Sequence, residues 1–109
     1  MKIKANFNRG ILFIRLIGNI DHDGSKQINQ YLIPLILNDK IKNVVVNFYE
    51  VLIIDEFGMD ALQNLKCAIK ANKGKLFICE TNNNIDGKLS SLKIDKVFTN
   101  FKNLTRLEI

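Results

Sequence analysis

Four carboxylates, Glu50, Asp55, Glu56 and Asp60, crowd one short stretch, and no Lys or Arg lies between Lys42 and Lys66. Clustered acids can start a helix, build a phosphate- or metal-responsive pocket, or present negative surface to a partner. Asp55 and Glu56 stand where a helix N-terminus favours acid, each worth about 0.3–1 kcal/mol there. Capping alone accounts for those two. A receiver-like, phosphate- or nucleotide-responsive pocket would draw on Asp21 and Asp55, with a metal at the acids. It needs an acidic pair early in the chain and an Asp at the end of a central strand. No acidic pair follows the first strand, and Asn47 stands near the strand end instead.

Other reactive groups are sparse. His22 is the one histidine, which leaves little for His-rich metal sites or Ser-His-Asp chemistry. It sits between Asp21 and Asp23, and a lone loop histidine is most often solvated. Cys67 and Cys79 are too far apart for a Cys-x-x-Cys motif and read as reduced, buried thiols. No Gly-x-x-x-x-Gly-Lys-Ser/Thr loop is present. Ser90 and Ser91 are open to modification only as any exposed serine is. The sequence therefore names no catalytic residue, no metal ligand and no cofactor.

The elements that position the acids follow from periodicity. Ile3 to Phe7 reads as a strand, Asn8-Arg9-Gly10 as a turn, and Ile11 to Ile17 as a strand apolar on both faces, ended by Gly18. Asp23 or Ser25 can cap a first helix carrying Ile28, Tyr31, Leu32, Leu35 and Ile36, with a kink or restart at Pro34. Val44 to Phe48 is a buried central strand, and Tyr49 to Ile54 reads as a loop. Ala61, Leu62, Leu65, Ala68 and Ile69 then mark a second helix. Gly74 suits its C-cap, with lysines in the last turns suiting the dipole. Leu76 to Cys79 is a strand. Asn82-Asn83-Asn84 opens a short helix, and Val97-Phe98 forms a last strand. Phe101 to Ile109 fits a helix or a strand. Strands alternating with helices imply one mixed, mostly parallel sheet with helices packed against it, an α/β domain over residues 1–109.

Composition excludes several classes. At 109 residues the chain makes one domain. No apolar run approaches the roughly 20 residues of a membrane span, and no signal peptide is evident, so a cytoplasmic location is expected. The formal net charge is +5, yet it conceals an acidic zone after the central strand, where open α/β sheets gather their binding sites. The lysines of the second half (Lys66, Lys70, Lys73, Lys75, Lys88, Lys93, Lys96, Lys102) invite a nucleic-acid reading. Phe77, Phe98 and Phe101 sit among apolar neighbours instead of interleaving as stacking platforms, so a solvated basic face is expected, with no nucleic-acid partner. With Ala61, Leu62 and Leu65 facing the core, Met59 falls on the solvent side with Gln63, Lys66 and Lys70. An exposed Met beside a charged helix end suits an adaptable interface.

These residues carry a resemblance. Gly18-Asn19-Ile20-Asp21 after the second strand resembles the Gly-x-Leu/Ile-Asp of STAS domains, the fold of bacterial anti-sigma factor antagonists. Val51 to Met59 resembles that family's apolar run followed by Asp-Ser-Ser-Gly-Leu, and Gly74 before the Leu76 strand also fits. The likeness covers almost the whole chain. It implies a non-enzymatic interaction module in a partner-switching system, in which an anti-sigma factor that is also a serine kinase phosphorylates the first Ser after the Asp. Here that position is Glu56, Phe57 replaces the next small residue, and Asp60 stands where a small residue is common. The implied contact surface is Tyr49 to Ile54 with Asp21, Asp55, Glu56, Phe57, Gly58, Met59 and Asp60. A STAS subunit of a lipid-transport or sensory complex is the nearest alternative.

Overall fold

The computed structural model describes residues 1–96. Five strands form one sheet in the order β1 (Lys2–Asn8), β2 (Ile11–Ile20), β3 (Asn43–Ile54), β4 (Lys75–Glu80), β5 (Asp95–Lys96). The β1–β2 pair is antiparallel and every later pair is parallel. Arg9 and Gly10 both have positive φ, the geometry of a two-residue hairpin turn whose twist matches its strands.

Between β2 and β3 the chain is helical throughout: α1 (His22–Gln27), a π turn (Ile28–Leu32) and α2 (Ile33–Asn38). Pro34 explains the π turn. It offers no N–H, and its ring would press on the carbonyl of the preceding turn. The widened turn, in which the Ile33 amide bonds to Ile28 O, shifts that carbonyl and places Pro34 in the first turn of α2. The helix therefore restarts at the proline. Asp21 caps α1, not Asp23 or Ser25. The other helices are α3 (Glu56–Ala71) and α4 (Asp86–Ser90).

The main core lies between these helices and one sheet face, built on Leu12, Ile14, Leu16, Val44, Val46, Phe48 and Ile78 from the strands with Ile28, Ile36, Leu62, Leu65 and Ile69 from the helices. The other face carries the smaller cluster of Phe13, Val45 and Cys79. β2 thus contributes buried apolar residues to clusters on both sheet faces, with Ile11, Arg15 and Ile17 of the second face half-buried. Cys79 is buried, but Cys67 is exposed, because it falls on the outer face of α3.

Three boundaries differ from the sequence reading. Gly18 does not end β2. It sits inside the strand at φ +108°, a conformation other residues rarely adopt. Tyr49 to Ile54 is not a loop but the distal half of β3. Arg15 and Ile17 pair with Asn47 and Glu50, and Gly18 and Ile20 pair with Val51 and Ile54. Each step sets two β3 residues against one on β2, so β3 contains two bulges. At the C-terminal end of α3, Lys73 takes the left-handed cap position at φ 61°. Gly74 serves close packing instead, since a Cβ there would meet Lys42 O at 1.9 Å. Among the described residues the last strand is Asp95–Lys96. The expected Val97-Phe98 strand and the Phe101 to Ile109 element lie outside the described residues.

Candidate functional site

Two helix starts built on the same local code meet at the C-terminal ends of β2 and β3. In each, an Asp follows the strand and a Gly follows three residues later. Asp21 Oδ1 accepts the Gly24 amide at 3.0 Å, and Asp55 Oδ1 accepts the Gly58 amide at 2.9 Å. Both acids therefore satisfy a helix-start amide that would otherwise lack a partner. The Gly24 N–H holds the Asp21 carboxyl below the usual carboxylate range.

The two starts are also joined to each other. The Asp55 amide donates to Ile20 O at 3.3 Å. Gly58 is buried against the same residue: a Cβ there would sit 2.1 Å from Ile20 O. Only glycine permits this approach. The rings of His22 and Phe57 close the junction from outside, edge-on with centroids 4.7 Å apart. His22 is thus exposed but not simply solvated.

The distal half of β3 runs beyond the end of β4, whose last pairing is Asn47 with Glu80. Side chains cover the edge that β4 leaves open. Asn82 Nδ2 lies 2.9 Å from Tyr49 O and 2.8 Å from Val51 O, and Lys88 Nζ bonds to Ile54 O. Buried Asn47 accepts the Tyr49 amide and donates to Glu80 Oε2, each at 2.8 Å. The second bulge, meanwhile, turns Leu52 and Ile53 outward, 58% and 56% exposed.

The predicted site residues are thus brought to one end of the molecule but divide by role. Glu56, Phe57 and Asp60 are exposed, with Phe57 at 53%. Glu56 and Asp60 lie one turn apart on one helix face. Asp21 is exposed and Asp55 half-buried, with both carboxylates engaged as caps. Gly58 is buried and packs rather than presents. Met59 is not on the solvent side. It is half-buried and packs on the main core, because the exposed stripe of α3 runs through Glu56, Phe57, Asp60, Gln63, Asn64 and Cys67 and passes it by. Glu50 leaves the acidic group, since it pairs with Arg15 across β2 and β3. At this end of the molecule Leu52, Ile53 and Phe57 are exposed, and Glu56 and Asp60 are exposed on the same helix as Phe57. Among the described residues no cluster of His, Cys, Asp and Glu is arranged to hold a metal ion, and no helix is long and apolar enough to cross a membrane.

The sequence reading missed Asn47, Asn82, Lys88 and the His22 contact. The Asp-x-x-Gly spacing repeated at Asp21–Gly24 and Asp55–Gly58 was the available signal for paired helix starts. Nothing local marked the asparagines, whose partners are remote in sequence.

Comparison with known proteins agrees with this architecture. The STAS domain family profile matches residues 2–106. The chain is 22% identical over 113 aligned positions to an anti-sigma F factor antagonist of Paenibacillus polymyxa, covering 100% of this chain and 97% of that protein. It superposes on the unphosphorylated anti-sigma factor antagonist SpoIIAA with a TM-score of 0.76, at 18% identity, covering 97% of each chain. The phosphorylated form of the Bacillus cell-fate determinant SpoIIAA gives 0.73 at 18% identity, covering 97% of this chain and 99% of that one. The chain therefore belongs to the STAS domain family, and its fold is that of the anti-sigma factor antagonists.

Proposed function

We propose that this chain is a cytoplasmic, non-enzymatic interaction module that acts as an anti-sigma factor antagonist in a partner-switching system. It docks its partner, a protein of the anti-sigma factor or serine-kinase type, through the start of α3. The carrying observation is the exposure of Leu52, Ile53 and Phe57 at the end of the molecule that also exposes Glu56 and Asp60. Large apolar side chains rimmed by charge are the usual make-up of an interface, and an aromatic at the centre is its usual anchor. The name of the Paenibacillus polymyxa relative supports the same reading. Neither nucleic acid nor membrane insertion enters it.

Glu56 occupies the position that the family resemblance gives to a phosphorylated serine. A carboxylate has no hydroxyl to receive phosphate by that chemistry. It carries one negative charge, against about 1.5 to 2 for phosphoserine. With the added charge of Asp60 and the bulk of Phe57, the surface is a permanently charged, diverged interface, complementary to an apolar site edged with basic residues.

The test is capture of partners on the immobilised protein, identified by mass spectrometry and repeated with Glu56→Lys. Loss of the partner on charge reversal supports the reading, and a partner indifferent to it places the surface elsewhere. Tight binding to a serine-kinase anti-sigma factor, unchanged in Glu56→Ser, would also sink the diverged-interface reading.

A further inference from the structure

The C-terminal half of α3 ends against a second feature, of opposite charge. From Glu56 to Lys70 the helix rises roughly 21 Å, so this feature is remote from the start of α3. A half-open cleft of about 330 Å³ lies between α3, the start of β4 and the turn after α4. Lys66, Lys70, Lys75 and Lys93 line it, over an apolar floor of Leu76 and Ile94. No carboxylate is among the described residues that line it.

We propose that this cleft binds a compact oligophosphate anion. Four lysines line one cleft with no carboxylate among the described lining residues, and Lys66 and Lys70 are one helical turn apart, where like charges repel. A cleft with low-dielectric walls focuses such charge. Lys66 is fixed in place: its ammonium donates to Leu92 O at 2.6 Å and keeps two further N–H groups for a ligand. Gly74 adds no side chain to the wall, and packing against Lys42 O keeps it so.

The ligand class follows from what lines the cleft. Lysines bind phosphates as point charges, without the planar fork that selects a single carboxylate. Several such charges favour a ligand with several anionic groups over a monoanion. Among the described residues no aromatic side chain lines the cleft, so these residues offer no stacking platform for a nucleic-acid base. The volume is at the small end of ligand sites. A short phosphate chain, free or on a small molecule, satisfies all three conditions.

The test uses the full chain, ¹⁵N-labelled and titrated with inorganic tripolyphosphate and, separately, with orthophosphate at matched ionic strength. Saturable shifts confined to the amides of Lys66, Lys70, Gly74, Lys75 and Lys93 are expected, with tripolyphosphate at least about ten-fold tighter than orthophosphate. Lys70→Gln and Lys75→Gln, at exposed positions, should each weaken it roughly three- to ten-fold. Lys26→Gln, exposed on α1, should leave it unchanged. Unsaturable shifts, or equal shifts around Lys2, Lys4 and Lys26, would overturn the proposal. So would unchanged affinity in both cleft variants. Tighter binding of a single-stranded oligonucleotide than of tripolyphosphate at the same amides would overturn it in favour of a nucleic-acid face.

Discussion

The ring of His22 meets the ring of Phe57 edge-on, centroids 4.7 Å apart and planes at 69°. The contact joins the first residue of α1 to the second of α3, and so braces the two helix starts. Edge-on aromatic pairs contribute about 0.5–1.5 kcal/mol when buried. Phe57 remains 53% exposed, so the lower end applies. Phe57→Ala is therefore expected to lower the unfolding free energy by under about 1 kcal/mol, while weakening partner capture at least ten-fold. Urea denaturation and a binding titration on one preparation separate the two effects. Full binding by the alanine variant would remove Phe57 from the interface.

Gly58 and Gly87 make a matched pair for a backbone test. A Cβ at Gly58 would lie 2.1 Å from Ile20 O and 2.9 Å from Ile54 Cγ2, whereas one at Gly87 meets nothing within 4 Å. Ile20 O also accepts the Asp55 amide, so it cannot retreat without loosening the junction. Gly58→Ala is expected to cost roughly 3 kcal/mol or more by overpacking. Gly87→Ala, inside α4, should gain about 0.5–1 kcal/mol through helix propensity. Thermal melts should move in opposite directions, and similar shifts would contradict the packing of α3 on β2.

Asp21 supplies a pH dependence with a definite sign. The Gly24 amide lowers its folded pKa below the ordinary 3.8. A depressed folded pKa means the unfolded chain takes up the proton first. The stabilisation is therefore present above the ordinary value and is lost as pH falls through the lowered one. Asparagine still caps a helix but does not titrate. Asp21→Asn should thus retain most stability at neutral pH and lose it less steeply in acid. Unfolding curves at stepped acidic pH values check this, and parallel losses in both proteins would remove Asp21 as a source.

The sequence made the buried strands legible because Val44 to Val46 and Leu76 to Cys79 are apolar without interruption. It made the start of α3 legible because Asp55 and Glu56 obey capping rules, whereas the cap of α1 fell on Asp21 and not on Asp23 or Ser25. The distal half of β3 was not legible. Its two bulges break the period of two, so Tyr49 to Ile54 lacks the alternation that marks a strand. Met59 was misplaced because its contact is tertiary. Glu50 seemed part of an acidic zone because Arg15 is remote in sequence and adjacent only across the sheet. Gly74 resembled a cap because capping is the commoner duty of a glycine after a helix. Its actual neighbour, Lys42 O, comes from another connection.

Asn82 holds the distal half of β3 where β4 has ended. Its amide lies 2.9 Å from Tyr49 O, 2.8 Å from Val51 O and 3.4 Å from Phe48 O, and its Oδ1 accepts the Asn84 amide at 3.0 Å. Alanine would remove this donor from three carbonyls, the Phe48 and Val51 contacts being part-buried, at about 1–3 kcal/mol. Aspartate is nearly isosteric but replaces the donor with a carboxylate facing three carbonyl oxygens, so it should cost more than alanine. Both changes leave Leu52, Ile53 and Phe57 untouched in sequence, and should still weaken partner binding because the strand presenting Leu52 and Ile53 loses its support. Hydrogen exchange locates the effect: amides from Tyr49 to Ile54 should exchange faster while those of Val44 to Val46, paired on both sides, keep their protection. Uniform acceleration along β3 would mean that Asn82 stabilises the fold as a whole and has no particular role in holding the docking end.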